Sequence, residues 1–116
     1  MAQNHPIIIF GFDPGNYLLI LSDNGKTMVD PGDTVTWIVF PGSGVSSIKD
    51  ITLKQKPENF SSVNIFKPPP GPLGSSKNWM GKVDPSVPWG SIEEYNIVWE
   101  DSSGATHIFD PKIQVN

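Results

Sequence analysis

Two histidines, His5 and His107, stand near opposite ends of a 116-residue chain that has no cysteine. Imidazole is the side chain that most readily binds a transition metal or moves a proton near neutral pH. A copper or zinc site using both would need the first and last strands to lie together. Even then two histidines lack the third ligand that metal selectivity requires. The simpler reading makes each a surface or edge residue, so the expectation is no metal and no cofactor, with a His5, His107 pair as the alternative. Asp13, Asp30, Asp33, Asp101 and Asp110 fall in turn-like stretches. Calcium draws its oxygens from such loops, but no EF-hand spacing is present, and turn aspartates ordinarily bond their own backbone. Catalysis has less to draw on. No thiol, no Ser-His-Asp grouping and no glycine-rich phosphate loop is present. Glu93 and Glu94 are adjacent, so a strand would send them to opposite faces, and they could not flank one sugar as an acid/base pair. The chain is expected not to be an enzyme.

The remaining chemistry lies in the aromatic and apolar residues of Lys67–Gly90, "KPPPGPLGSSKNWMGKVDPSVPWG". This stretch shows no strand periodicity and contains half of the 12 prolines. Long strandless connections in compact domains tend to be functional or disordered, and proline stiffens such a loop. Leu73, Trp79, Met80 and Trp89 are the candidate binding residues, because aromatics on a stiff loop can fill a partner's pocket or stack on a sugar. The expected division has Trp89 tucked beneath the loop and Trp79, with Met80 and Leu73, open to a partner.

Composition limits the partners. The net charge is -4, with eight basic residues, all lysine. Arginine is the preferred fork for phosphates and guanine edges, so nucleic acid and anionic lipid are poor partners. The absence of cysteine removes disulfides, thiolate chemistry and iron–sulfur sites. "MAQNHPIIIFGFDPG" has no basic n-region, and its apolar run Ile7–Phe10 is too short for a signal core or a membrane span. The expectation is no membrane insertion and no classical export signal, which leaves the cytoplasm or release by a non-classical route.

These residues must be held by strands. Short β-rich runs alternate with Gly, Pro, Asn and Asp, and no window carries a capped helical period. The runs are Ile7–Phe12, Tyr17–Leu21, Lys26–Val29, Thr34–Phe40, Ile48–Leu53, Ser62–Phe66, Ile92–Trp99 and Thr106–Val115, the last broken at Asp110-Pro111. Asn24-Gly25 is a hairpin signal of type I′, with Lys26–Val29 as the returning strand. In Thr34–Phe40, Val35, Trp37 and Val39 should face the core together with Tyr95, Ile97 and Ile113, although Ile38 and Phe40 make the other face partly apolar. Ile92 is out of step with the Tyr95, Ile97, Trp99 row, which implies a bulge or a late strand start. At most a turn or two of helix fits, around Ser75–Met80. One domain, residues 1–116, is expected: an all-β Greek-key sandwich of seven to eight strands with one long proline-rich loop.

Two segments resemble the cupredoxin family. "VDPGDTVTWIVFPG" is similar to the family's G-D-x-V-x-W/F strand, and "YNIVWEDSSGATHIFDPKIQVN" to its final hairpin. The resemblance implies a cupredoxin-like or Ig-like sandwich. It also implies that the metal site is gone. Trp99 stands in the place of the cysteine ligand, Ser102 near the loop histidine and His107 near the axial methionine, while "PGSGVSS" after Phe40 offers no histidine. A type 1 copper site needs a thiolate and two histidines.

The functional expectation is a non-enzymatic binding or assembly module whose partner is a protein or a larger assembly, such as a bacterial delivery or surface machine. The alternatives are a metal-binding cupredoxin relative with a non-blue site, and a carbohydrate-binding module using the loop tryptophans.

Overall fold

The computed structural model describes residues 3–53, 65–74 and 76–116. Among the described residues ten strands form: β1 (Asn4–Phe12), β2 (Leu19–Leu21), β3 (Lys26–Val29), β4 (Thr34–Val39), β5 (Val45–Leu53), β6 (Gly71–Pro72), β7 (Trp79–Lys82), β8 (Ile92–Asp101), β9 (Thr106–Phe109) and β10 (Lys112–Val115). They make two mixed sheets, in the order β2-β1-β4-β7-β6 and β3-β10-β8-β5, with β9 also paired to β8. The fold is an all-β sandwich. Among the described residues no helix is long and apolar enough to cross a membrane.

Strand β4 shows why these residues fold this way. Its β-branched and aromatic side chains suit a pleated surface, and Val35, Trp37 and Val39 are buried while Thr34, Thr36 and Ile38 are not. A proline turn lies at each end. The Asp33 amide donates to the Asp30 carbonyl at 3.1 Å, and the Ser43 amide to the Phe40 carbonyl at 3.1 Å. Gly32 and Gly42 sit third in these turns with φ of 89° and 84°, the type II geometry in which proline comes second and glycine third.

The sheets are tied through Trp37 and Tyr95. The Trp37 indole N–H donates to the Tyr95 hydroxyl at 3.0 Å, and the rings meet edge-on with centroids 5.6 Å apart. Both side chains are fully buried. Burial pushes the Tyr95 phenol well above its ordinary pKa, so it stays a neutral hydroxyl. The expected core row of Val35, Trp37, Val39, Tyr95, Ile97 and Ile113 is buried throughout.

Several local expectations are corrected. Asn24 and Gly25 do adopt positive φ, 56° and 85°, but their turn does not close a hairpin. β2 pairs with β1 in one sheet, while β3 pairs in parallel with β10 in the other. The turn crosses between sheets. Ile92 marks neither a bulge nor a late start, because β8 begins there and alternates cleanly. Glu93 takes the inward place, where its carboxylate accepts the Ile65 amide at 3.0 Å; Glu94 is exposed, so the two glutamates do face opposite ways. The irregular pairing lies in β5 instead. The chain breaks at Asp110-Pro111 into β9 and β10 as expected. Residues 62–64 and 75, which carry part of one expected strand and of the possible helix, lie outside the described residues. Phe66 bridges to Val83, and Trp79 and Met80 belong to β7.

Candidate functional site

The β8–β9 hairpin carries His107 and the residues that surround it. A turn with Gly104 at φ 89° brings β9 back along β8, and His107 is paired with Trp99. The Asp101 carboxylate organises the turn. It accepts the Ser103 amide at 2.9 Å, the Ser103 hydroxyl at 2.6 Å, the Ala105 amide at 3.1 Å and His107 Nε2 at 2.8 Å. The bonds from Ser103 and then His107 hold its pKa well below the usual carboxylate range, against the opposing effect of burial. The Ser103 hydroxyl is spent on the carboxylate rather than on the histidine, so these three residues do not form a nucleophile–base relay.

Aromatic rings pack around this hairpin. His107 stacks on Tyr17, centroids 4.1 Å apart and 11° from parallel, and lies 4.7 Å from Trp99. Phe12 joins Tyr17 to Trp99 at 5.8 and 4.9 Å. Tyr17 reaches this place from a loop that holds it at φ 59°. The Trp99 indole is thereby packed between the rings of Phe12 and His107.

His5 lies elsewhere. Its Nε2 meets the Asp33 carboxylate at 2.7 Å, where the Gln3 and Asp30 amides also donate at 2.9 Å. Burial pushes the Asp33 carboxyl up, but the two amides and His5 outweigh it and leave the pKa lowered. This cluster fastens the start of β1 to the turn before β4. Phe12, against which the His107 cluster packs, is seven positions further along β1, about 23 Å at strand rise. The structure does not bring His5 and His107 together. Among the described residues no group of three or more His, Asp or Glu side chains is placed to hold a metal ion.

The expected division between the two loop tryptophans is reversed. Segment 67–90 is not strandless, because it contains β6 and β7. Trp79 pairs with Trp37 across β7 and β4, which turns its indole into the sandwich at 9% exposure. Even Pro72 sits in a short strand beside Trp79. A proline is tolerated there because β6 is the sheet edge, where no neighbour asks for its missing N–H. Trp89, expected beneath the loop, is 67% exposed, for it precedes a turn at Gly90 (φ 85°) rather than a strand. Leu73 and Met80 are exposed as expected.

Met80 belongs to a larger surface. β1 and β4 are parallel neighbours with Ile8 beside Ile38, and their outward rows end in Phe10 and Phe40, whose rings lie 5.9 Å apart. Ile20 on β2 flanks them on one side. On the other, Met80 stands beside Thr36, and Gly71 beside Met80 leads to Leu73. Phe10, Ile20, Phe40, Leu73 and Met80 are all exposed. The other end of the same rows is polar, where the Asn4 side-chain carbonyl accepts the hydroxyls of Thr34 at 2.9 Å and Thr36 at 2.8 Å. Sequence reasoning assigned Phe10 and Ile20 no role. The available signal was Ile38 and Phe40 on the supposed solvent face of β4.

No protein-family model matches the chain, and no curated protein matches its sequence.

Proposed function

We propose that this chain is a non-enzymatic β-sandwich module that acts by binding or assembly, through the outer face of its first sheet. The observation that carries the reading is the set of exposed apolar side chains Phe10, Ile20, Phe40, Leu73 and Met80 on one sheet face. Soluble proteins rarely expose apolar patches larger than a few hundred Å², and a patch at that limit is often functional. A role inside a larger bacterial delivery or surface assembly would suit such a module.

A photo-crosslinking amino acid at Phe10 or Phe40 tests this in the native host. Adducts are expected from both positions and not from Val98, which faces outward on the second sheet. Equal yields from all three positions, or none, refute the reading. The exposed indole of Trp89 favours a second reading, stacking on a sugar ring; a glycan screen with Trp89→Ala as control tests it.

A further inference from the structure

We infer that the occupant of this sheet face is a second copy of the same chain, docked about a two-fold axis; the inference rests on the binding-module reading above. Three features point to it. The first is charge. The chain carries a net -4, so two copies repel at long range and can close only where the surface between them is itself uncharged. The outward positions of β1, β2 and β4 hold no charged residue, and Lys82 at the polar end is the one charge among those of β7. A cationic partner would need carboxylates there to read, and the patch has none.

The second feature is size. Phe10 and Phe40 are each about half exposed, and Ile20, Leu73 and Met80 are between 39% and 53% exposed. With side chains of this size the patch amounts to roughly 400–500 Å² on one copy. A two-fold pair that covered it completely would bury roughly 800–1,000 Å², the size of a weak, reversible interface. The third feature is the pattern. Because β1 and β4 are parallel, their apolar residues gather at one end and their polar residues at the other. A two-fold axis through the apolar end sets Phe10 and Phe40 of one copy against those of the other, in the self-complementary manner such symmetry demands. Sheets pack face to face in this way, about 10 Å apart, as the chain already does internally.

The experiment is sedimentation velocity of the purified chain over a wide concentration range, at low and high salt, with Phe10→Asp and Phe40→Asp as variants. A species of twice the 12.7 kDa chain mass should grow with concentration. It should strengthen with salt, since screening removes the repulsion between like-charged copies. Either substitution should weaken it by about thirtyfold or more, the loss of one interface anchor. Circular dichroism should stay unchanged, because both side chains point away from the core. A dimer indifferent to both substitutions uses another surface and overturns the inference. A monomer at every concentration overturns it too, and the crosslinks from Phe10 then decide the reading beneath it. Adducts of mass other than twice the chain leave the binding module standing with a different partner, and no adducts bring both down.

Discussion

Replacing Tyr95 by Phe removes one oxygen from the centre of the sandwich and leaves the ring in place. That oxygen accepts the Trp37 indole N–H at 3.0 Å, and neither residue has any solvent exposure. Without it the N–H is left buried and unsatisfied, at a cost of about 1–3 kcal/mol. For a domain near 100 residues this lowers the melting temperature by roughly 4–8 °C per kcal/mol. Trp37→Ala, which also empties the space of a large aromatic, should cost about 3–5 kcal/mol, much of a typical total of roughly 5–15 kcal/mol. The decisive comparison is a cycle of Trp37→Phe, Tyr95→Phe and the double variant, followed by urea denaturation with circular dichroism. In the Trp37→Phe background no donor remains, so Tyr95→Phe should become nearly silent, a coupling of about 1 kcal/mol or more. Trp99 supplies an internal comparison. Among the described residues its indole N–H is buried without a hydrogen-bond partner, so Trp99→Phe should cost less than Trp37→Phe. Strict additivity in the cycle, within about 0.3 kcal/mol, would refute the claim that this hydrogen bond ties the sheets.

Acid should unfold the protein through Asp101 and Asp33, whose pKa values are lowered in the folded state. Below the ordinary value of 3.8 the unfolded chain binds protons that the folded chain does not, so stability present above that pH is lost as pH falls towards the folded values. Asp101→Asn should lower stability at pH 7 and shrink the difference between pH 7 and pH 3, read from denaturation midpoints; an unchanged difference counts against this account. At Gly81, a methyl group would meet Phe66 Cδ1 at 2.9 Å and Pro70 Cγ at 3.1 Å, so Gly81→Ala should destabilise by about 1–3 kcal/mol, and a melting curve superposable on the parent's would show that Phe66 yields freely. In single-tryptophan variants, acrylamide should quench Trp89 strongly and Trp79 weakly; the opposite order would mean that β7 does not pair with β4.

Much of the fold is legible locally. The alternation of Thr34–Val39, the proline–glycine turns at its ends, the positive φ of Asn24 and Gly25 and the opposed Glu93 and Glu94 all follow from neighbours a few residues apart. The candidate site is less so. "WMGK" at Trp79–Lys82 is too short and too glycine-weakened to announce a strand, and only pairing with β4 turns Trp79 inward. Glu93 reads as a surface residue until the Ile65 amide, 28 positions away, meets its carboxylate. The type I′ turn at Asn24-Gly25 is written in the sequence, but whether its strands pair or part is set by which sheet has room for each. Ile38 and Phe40 hint at an apolar outer face; they become a surface only because β1 lies parallel to β4 and sets Ile8 and Phe10 beside them. Backbone preference and period 2 are properties of a segment, so the chain by itself determines which residues share a strand face. Which faces meet, and which apolar rows add up to a patch, depends on non-local pairing, and that is decided only when burial of the Trp37–Tyr95 core selects one arrangement of the two sheets.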